Sequence, residues 1–84
     1  MVKILYFAWV RQKVGTPEEE IALPGGLGDV AALIAWLRTR GPGYEAAFEN
    51  LDLIRVAVDQ AHVEFDASIE RAEEIAFFPP VTGG

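Results

Sequence analysis

The sequence closes on Phe77-Phe78-Pro79-Pro80-Val81-Thr82-Gly83-Gly84, a run whose residue types suit one kind of chemistry. Pro79 and Pro80 fix φ and favour an extended polyproline segment, which holds the following residues away from a folded body. Val81 to Gly84 then reach at most roughly 13–14 Å, at ~3.3–3.6 Å per residue. Gly83 and Gly84 have no Cβ, so the walls of a partner's channel can close around bare backbone. Read as a terminus, Gly84 carries an unhindered α-carboxylate. A free α-carboxyl ionises near pH ~3.5 and is a poor electrophile at neutral pH. A second enzyme must activate it, and adenylation does so by turning one oxygen into a leaving group. By itself a Gly-Gly end is also what a frayed terminus leaves. The Phe-Phe-Pro-Pro run before it points instead to a working carboxylate.

The rest of the sequence offers no catalyst of its own. There is no cysteine, which excludes a thiol nucleophile, a zinc–thiolate site and a persulfide held on the chain. The same absence favours a reducing compartment, and the cytoplasm is the expected location. His62 has no cysteine or second histidine beside it, so it reads as a strand-surface residue and no metal is expected. Gly25-Gly26-Leu27-Gly28 precedes a helix but lacks the Lys-Ser/Thr of a P-loop and the GxGxxG spacing. Glu18, Glu19 and Glu20 read as a solvated strand end, and Glu70, Glu73 and Glu74 as a solvated acidic turn. Trp36 lies off the main helix stripe and is assigned no function. No acid–base pair or triad is visible.

A net charge of −6 repels phosphate backbones, so no nucleic acid is expected. It would steer the chain toward a partner with a basic cleft. The opening MVKILYFAWVRQK is apolar over too few residues to span a membrane, and it lacks a small-residue cleavage site. No membrane association is expected.

Eighty-four residues make one domain, with residues 1–78 as the body and 79–84 as an extended tail. Val2 to Trp9 reads as a strand apolar on both faces, followed by a polar turn from Arg11 to Pro17. Glu18 to Leu23 pairs back as a hairpin. Asp29 is a good N-cap for a helix carrying Val30, Leu33, Ile34 and Leu37 at helical spacing. Gly41-Pro42-Gly43 ends that helix, and Tyr44 to Glu49 fits a single turn. Leu53 to Asp59, His62 to Phe65 and Glu74 to Phe78 read as strands, the last stopped by Pro79. The order strand, strand, helix, strand, short strand, strand is that of an α+β, ubiquitin-like β-grasp. It predicts a mixed sheet of four to five strands, the first and last being central neighbours, with one main helix packed on one face.

Period-two alternation divides the sheet residues. With Ile4, Tyr6, Val56, Ile75 and Phe77 facing the helix, Leu5, Phe7, Ala57, Ala76 and Phe78 fall on the opposite, open face. Large apolar residues on an uncovered face mark a partner site. Leu5, Phe7 and Phe78 are the candidate docking residues, with Arg11 as a polar rim contact.

On these residues the chain resembles the small subunits of molybdopterin synthase, the MoaD family. The resemblance rests on VKILYFAWVRQKVGT at the start, AVDQAHVEFD in the later strands, and EIAFFPPVTGG, with its FFPPVTGG run, at the end. It runs over the whole chain without a large insertion. It implies a carrier that holds no permanent cofactor. ATP and Mg are used by a MoeB-like activating enzyme, which adenylates the Gly84 carboxylate. A sulfurtransferase supplies the sulfur that converts the adenylate to a thiocarboxylate. Pro79, Pro80, Val81, Thr82 and Gly83 would then thread the tail into a MoaE-like large subunit, within a heterotetramer. There Gly84 donates its sulfur to cyclic pyranopterin monophosphate, forming the dithiolene.

Two positions depart from the family pattern. Asp59 stands where asparagine is common, and Ala72 where a turn glycine is common. Carriers for thiazole or tRNA thiolation, and ubiquitin-like modifiers joined to lysines, share the Gly-Gly end. A plain interaction module with an idle tail is the remaining alternative.

Overall fold

The structure is a computed structural model and describes residues 1–80. Its strands are β1 (Val2–Tyr6), β2 (Glu18–Ile21), β3 (Arg55–Val58), β4 (Ala61–Val63) and β5 (Glu74–Phe78). They form one sheet in the order β2-β1-β5-β3-β4. β1 and β5 pair in parallel at its centre, and the other neighbours are antiparallel. Three helices, α1 (Ala8–Val14), α2 (Val30–Arg38) and α3 (Pro42–Ala47), and a 3₁₀ turn at Leu51–Leu53 complete the fold. This is the ubiquitin-like β-grasp that the order of elements predicts.

α2 forms where the sequence places it. The Asp29 carboxylate accepts a hydrogen bond from the Ala32 amide at 2.9 Å, satisfying one of the free N–H groups of the first turn. Val30, Leu33, Ile34 and Leu37 are all buried on one stripe. They share a single core with Ile4, Tyr6, Val56, Ile75 and Phe77, so the alternation assigned to the sheet is correct. Among the described residues no helix is long and apolar enough to cross a membrane.

Three corrections follow at the level of elements. The strand expected to run to Trp9 ends at Tyr6, and the turn expected from Arg11 to Pro17 is mostly helix α1. The Phe7 amide still donates to the Phe77 carbonyl at 3.1 Å. Ala8 then takes φ 55, a left-handed backbone that alanine rarely adopts, and this bend starts the helix. Val10 is buried, Val14 packs against the core, and Gly15 closes the helix at φ 98 with its amide on the Arg11 carbonyl.

The second correction concerns Gly43, expected to help end α2 and found inside α3. A Cβ there would lie 2.5 Å from the Lys13 carbonyl oxygen, so glycine lets α3 abut α1. The single main helix is therefore joined by two shorter ones on the same face.

The third correction concerns Glu19, expected to be solvated. Its Oε2 accepts hydrogen bonds from the Tyr6 hydroxyl at 2.8 Å and the Tyr44 hydroxyl at 2.7 Å. Its Oε1 lies 3.1 Å from the Arg40 guanidinium, which stacks over Trp36 and Tyr44. Thus Trp36, left unassigned by its position on the helix, packs under Arg40. Burial by itself would raise the Glu19 carboxyl. The hydrogen bonds donated by Tyr44 and Tyr6 and the charge of Arg40 outweigh it and hold the carboxyl below its ordinary value of 4.5. Burial and the bond to Glu19 push the Tyr6 phenol well above 10.0.

The signs of the two shifts set opposite limbs. Stability from Glu19 is present above pH 4.5 and is lost as the pH falls through its depressed value. Stability from Tyr6 is present below pH 10.0 and is lost above it. Glu19→Gln is expected to cost about 1.5–3 kcal/mol at neutral pH, the range for hydrogen bonds to charged groups. The cost should shrink toward pH ~2, where a protonated glutamate resembles glutamine. Urea melts of both proteins at the two pH values measure this. An equal cost at both would show that the charged form is not what matters.

Both departures from the family pattern fit the fold. Asp59 and Gln60 take φ 48 and φ 71, the left-handed pair that a two-residue hairpin turn requires. The Asp59 carboxylate also accepts from the Glu73 and Glu74 amides at 3.0 and 2.9 Å, tying the turn to β5. Ala72 does not take a positive φ, and its amide donates to the Ile69 carbonyl. Glycine is not needed there.

Candidate functional site

The tail leaves the body at the end of β5, next to β1. Phe78 is the last residue of the ladder, opposite Arg55. Pro79 and Pro80 follow it outside any strand or helix, each half-buried. Val81, Thr82, Gly83 and Gly84 lie outside the described residues.

Register places the docking candidates in rows on the open face. Leu5 pairs with Ala76 and with Glu18, and Ala76 with Ala57, which pairs with His62. The next row, at the tail end, brings Phe78 opposite Arg55, with Phe7 following β1 on the same side. Phe7 is 49% exposed, while Leu5 and Phe78 are half-buried. Ala57 and Ala76, between them in the ladder, are each only 8% exposed. His62 lies on the same face, its ring centroid 5.2 Å from that of Phe78 and tilted by 56°. The exposed Lys3–Glu18 ion pair, at 3.4 Å, contributes little to stability.

Arg11 sits on α1, exposed, and not on the turn expected for it. Among the described residues there is no group of three or more His, Asp or Glu side chains that could hold a metal ion.

Three apolar residues near the tail were not singled out in the sequence. Leu51 and Leu53 are exposed on the 3₁₀ turn, and Trp9 is half-buried on α1. The expected strand from Leu53 made Leu53 look like an ordinary ladder residue. The Asn50 side chain, which accepts from the Asp52 amide, is the signal that a turn begins there instead.

A β-grasp body whose central strand runs directly into a proline-stiffened tail defines a protein of the ubiquitin-like carrier shape. The chain matches the ThiS family over residues 4–84, and it belongs to that family. It is 40% identical over 84 residues to the molybdopterin synthase sulfur carrier subunit of Escherichia coli K12, covering all of both chains. Among solved structures, it resembles a Pyrococcus furiosus chain provisionally named molybdopterin converting factor, subunit 1. The TM-score is 0.75 at 34% identity, covering 95% of this chain and 97% of that one. The likeness to SAMP1 from Haloferax volcanii, at TM-score 0.70 and 22% identity over 99% and 98% of the chains, reflects the fold alone.

Proposed function

We propose that this chain is the sulfur carrier of a molybdopterin synthase, with the terminal carbon of Gly84 as its working atom. The observation that carries the reading is the full-length match to a molybdopterin synthase sulfur carrier subunit, which extends through the FFPPVTGG segment. The Gly84 carboxylate attacks the α-phosphorus of ATP on a MoeB-like enzyme and releases pyrophosphate. A persulfide on a sulfurtransferase then attacks the acyl carbon and displaces AMP, giving an acyl disulfide. A second thiol cleaves its S–S bond, leaving the Gly84 thiocarboxylate and a disulfide on the donor side. Residues Pro79 to Gly83 carry that group into a MoaE-like large subunit, within a heterotetramer in the cytoplasm. There the thiocarboxylate sulfur bonds to cyclic pyranopterin monophosphate with loss of an oxygen leaving group. Water cleaves the acyl–sulfur bond and returns Gly84 as a carboxylate, and a second thiocarboxylate supplies the other sulfur of the dithiolene. The body contributes position: its open face docks, and the reach of the tail sets where the reacting carbon stands.

The test is reconstitution. The chain bearing a Gly84 thiocarboxylate, mixed with the large subunit and cyclic pyranopterin monophosphate, should yield molybdopterin without ATP. No product from the pterin, together with transfer of sulfur to a thiazole precursor or to tRNA, would reassign the pathway.

Phe7 tests the docking face. Buried aromatics commonly dominate interfaces, and Phe7 is exposed in the free chain, so the fold should tolerate a charge there. Phe7→Asp is expected to keep the melting profile and to weaken large-subunit binding by about 30-fold, the lower edge of a hot-spot effect. Unchanged affinity in calorimetry would remove Phe7 from the interface.

A further inference from the structure

The described residues include four exposed large apolar side chains: Met1, Phe7, Leu51 and Leu53. Three of them gather at one end of the molecule. β1 and β5 run in parallel, so Phe7 follows β1 where Phe78 closes β5. β3 runs the other way, with its first residue Arg55 opposite Phe78. The 3₁₀ turn before β3 therefore also lies at the end where the tail leaves. Met1 precedes β1 and lies at the opposite end. Phe7 faces the open side of the sheet. Leu53, 48% exposed, instead lines a groove of about 280 Å³ on the helix side with Trp9, Ala46 and Ala47, rimmed by Lys13 and Glu49. Exposed apolar side chains thus stand at the tail end on both the open and the helical side of the sheet.

The length of the tail says what covers it. Val81 to Gly84 span at most roughly 13–14 Å, so a protein that encloses Gly84 must stand within that distance of Pro80. Surfaces at the base of the tail then lie within its footprint, and those at the Met1 end do not. We infer that the subunit accepting the tail grips the body on two sides, and that the Leu53 groove takes an apolar side chain of that subunit. This rests on the carrier reading above. Leu53 is the anchor, because it is the more exposed of the two leucines and lines the groove itself. Lys13 and Glu49 supply polar rim contacts of both signs, which favour an apolar anchor bordered by polar groups over a single charge.

The probe is the large synthase subunit, titrated against the full chain, against Leu53→Glu and against Phe7→Asp. A charge at an exposed position should leave the melting profile unchanged. Leu53→Glu is expected to weaken binding by about tenfold or more, comparable to loss of a core interface contact. Leu53→Ala should fall between it and the parent. Adenylation by the activating enzyme serves as the second readout. Weakened adenylation with unchanged large-subunit binding would assign the groove to the activating enzyme and overturn the inference. So would Leu53→Glu binding like the parent while Phe7→Asp binds weakly, and that outcome leaves the carrier reading intact. Failure of the carrier reading looks different: the parent chain itself would not bind the large subunit.

Discussion

Phe77→Ala is expected to destabilise the domain by about 3–5 kcal/mol, the range for deleting a buried phenylalanine. Phe77 is 0% exposed. Its ring stacks near Tyr6 at 6.4 Å and 16°, and meets Phe48 edge-on at 5.0 Å and 78°. Both geometries are favoured by the ring quadrupoles, and each adds to area burial. A domain of this size holds on the order of 4–13 kcal/mol in total, so one substitution could consume most of it. The backbone consequence is larger still. Phe77 lies in β5, between β1 and β3, and its carbonyl accepts from the Phe7 amide. A cavity there loosens the strand that carries the tail. Urea denaturation measures the effect. A loss no larger than that of a surface substitution would mean that Phe77 is not a core anchor.

Removing Gly84 is expected to produce the opposite profile. Stability should be unchanged, because among the described residues the core ends at Phe77 and Gly84 has no side chain to add to it. Binding to the large subunit should largely persist, since the apolar faces remain. Sulfur transfer should fall by several orders of magnitude. The new terminal carbon lies about 3.5 Å short of the reacting position, and misplacement by even ~1 Å can cost a factor of 10² in rate. Appending a residue after Gly84 should be as damaging, because the acyl carbon then overshoots. Single-turnover assays with the large subunit separate these outcomes from a folding defect. Normal transfer by the shortened chain would refute a role for Gly84 as the sulfur donor.

The contrast between these two variants mirrors what the sequence makes legible. The sheet was readable because its strands alternate cleanly. Ile75 and Phe77 against Ala76 and Phe78 leave one parity that buries the larger set, and the order of elements made β1 the neighbour of β5. α2 was readable because Asp29 caps it and four apolar residues repeat at helical spacing. α1 was hidden for a specific reason. Its first residues, Ala8, Trp9 and Val10, continue the apolar run of β1, so periodicity alone extends the strand. The break lies at Ala8, whose positive φ has no signature in a side chain that normally avoids it. The clues to the helix were the Val10–Val14 spacing and the Gly15 cap, both weak in a seven-residue element.

Glu19 was unreadable for a different reason. It stands in the run Glu18-Glu19-Glu20, where composition predicts three solvated carboxylates. Alternation turns only the middle one toward Tyr6, and its other partners, Tyr44 and Arg40, come from distant parts of the chain. No local pattern identifies a long-range hydrogen bond. The same holds for the tail-end surface. Phe7 and Phe78 were evident from parity, but Leu53 joins them only because β3 runs antiparallel to β5. The family, by contrast, was legible because its motifs lie in the sequence itself: the FFPPVTGG run needs no tertiary arrangement to be recognised.

The central claim is that Gly84 carries sulfur, and the intact mass of the protein isolated from its native cell tests it most directly. Tail peptides from the same sample locate any change. The account predicts a species in which one oxygen has been replaced by sulfur, confined to the fragment ending at Gly84. That species should disappear when the activating enzyme is removed. A carboxylate found unmodified in cells actively making molybdopterin, or a tail joined to lysines of other proteins in its place, would contradict it.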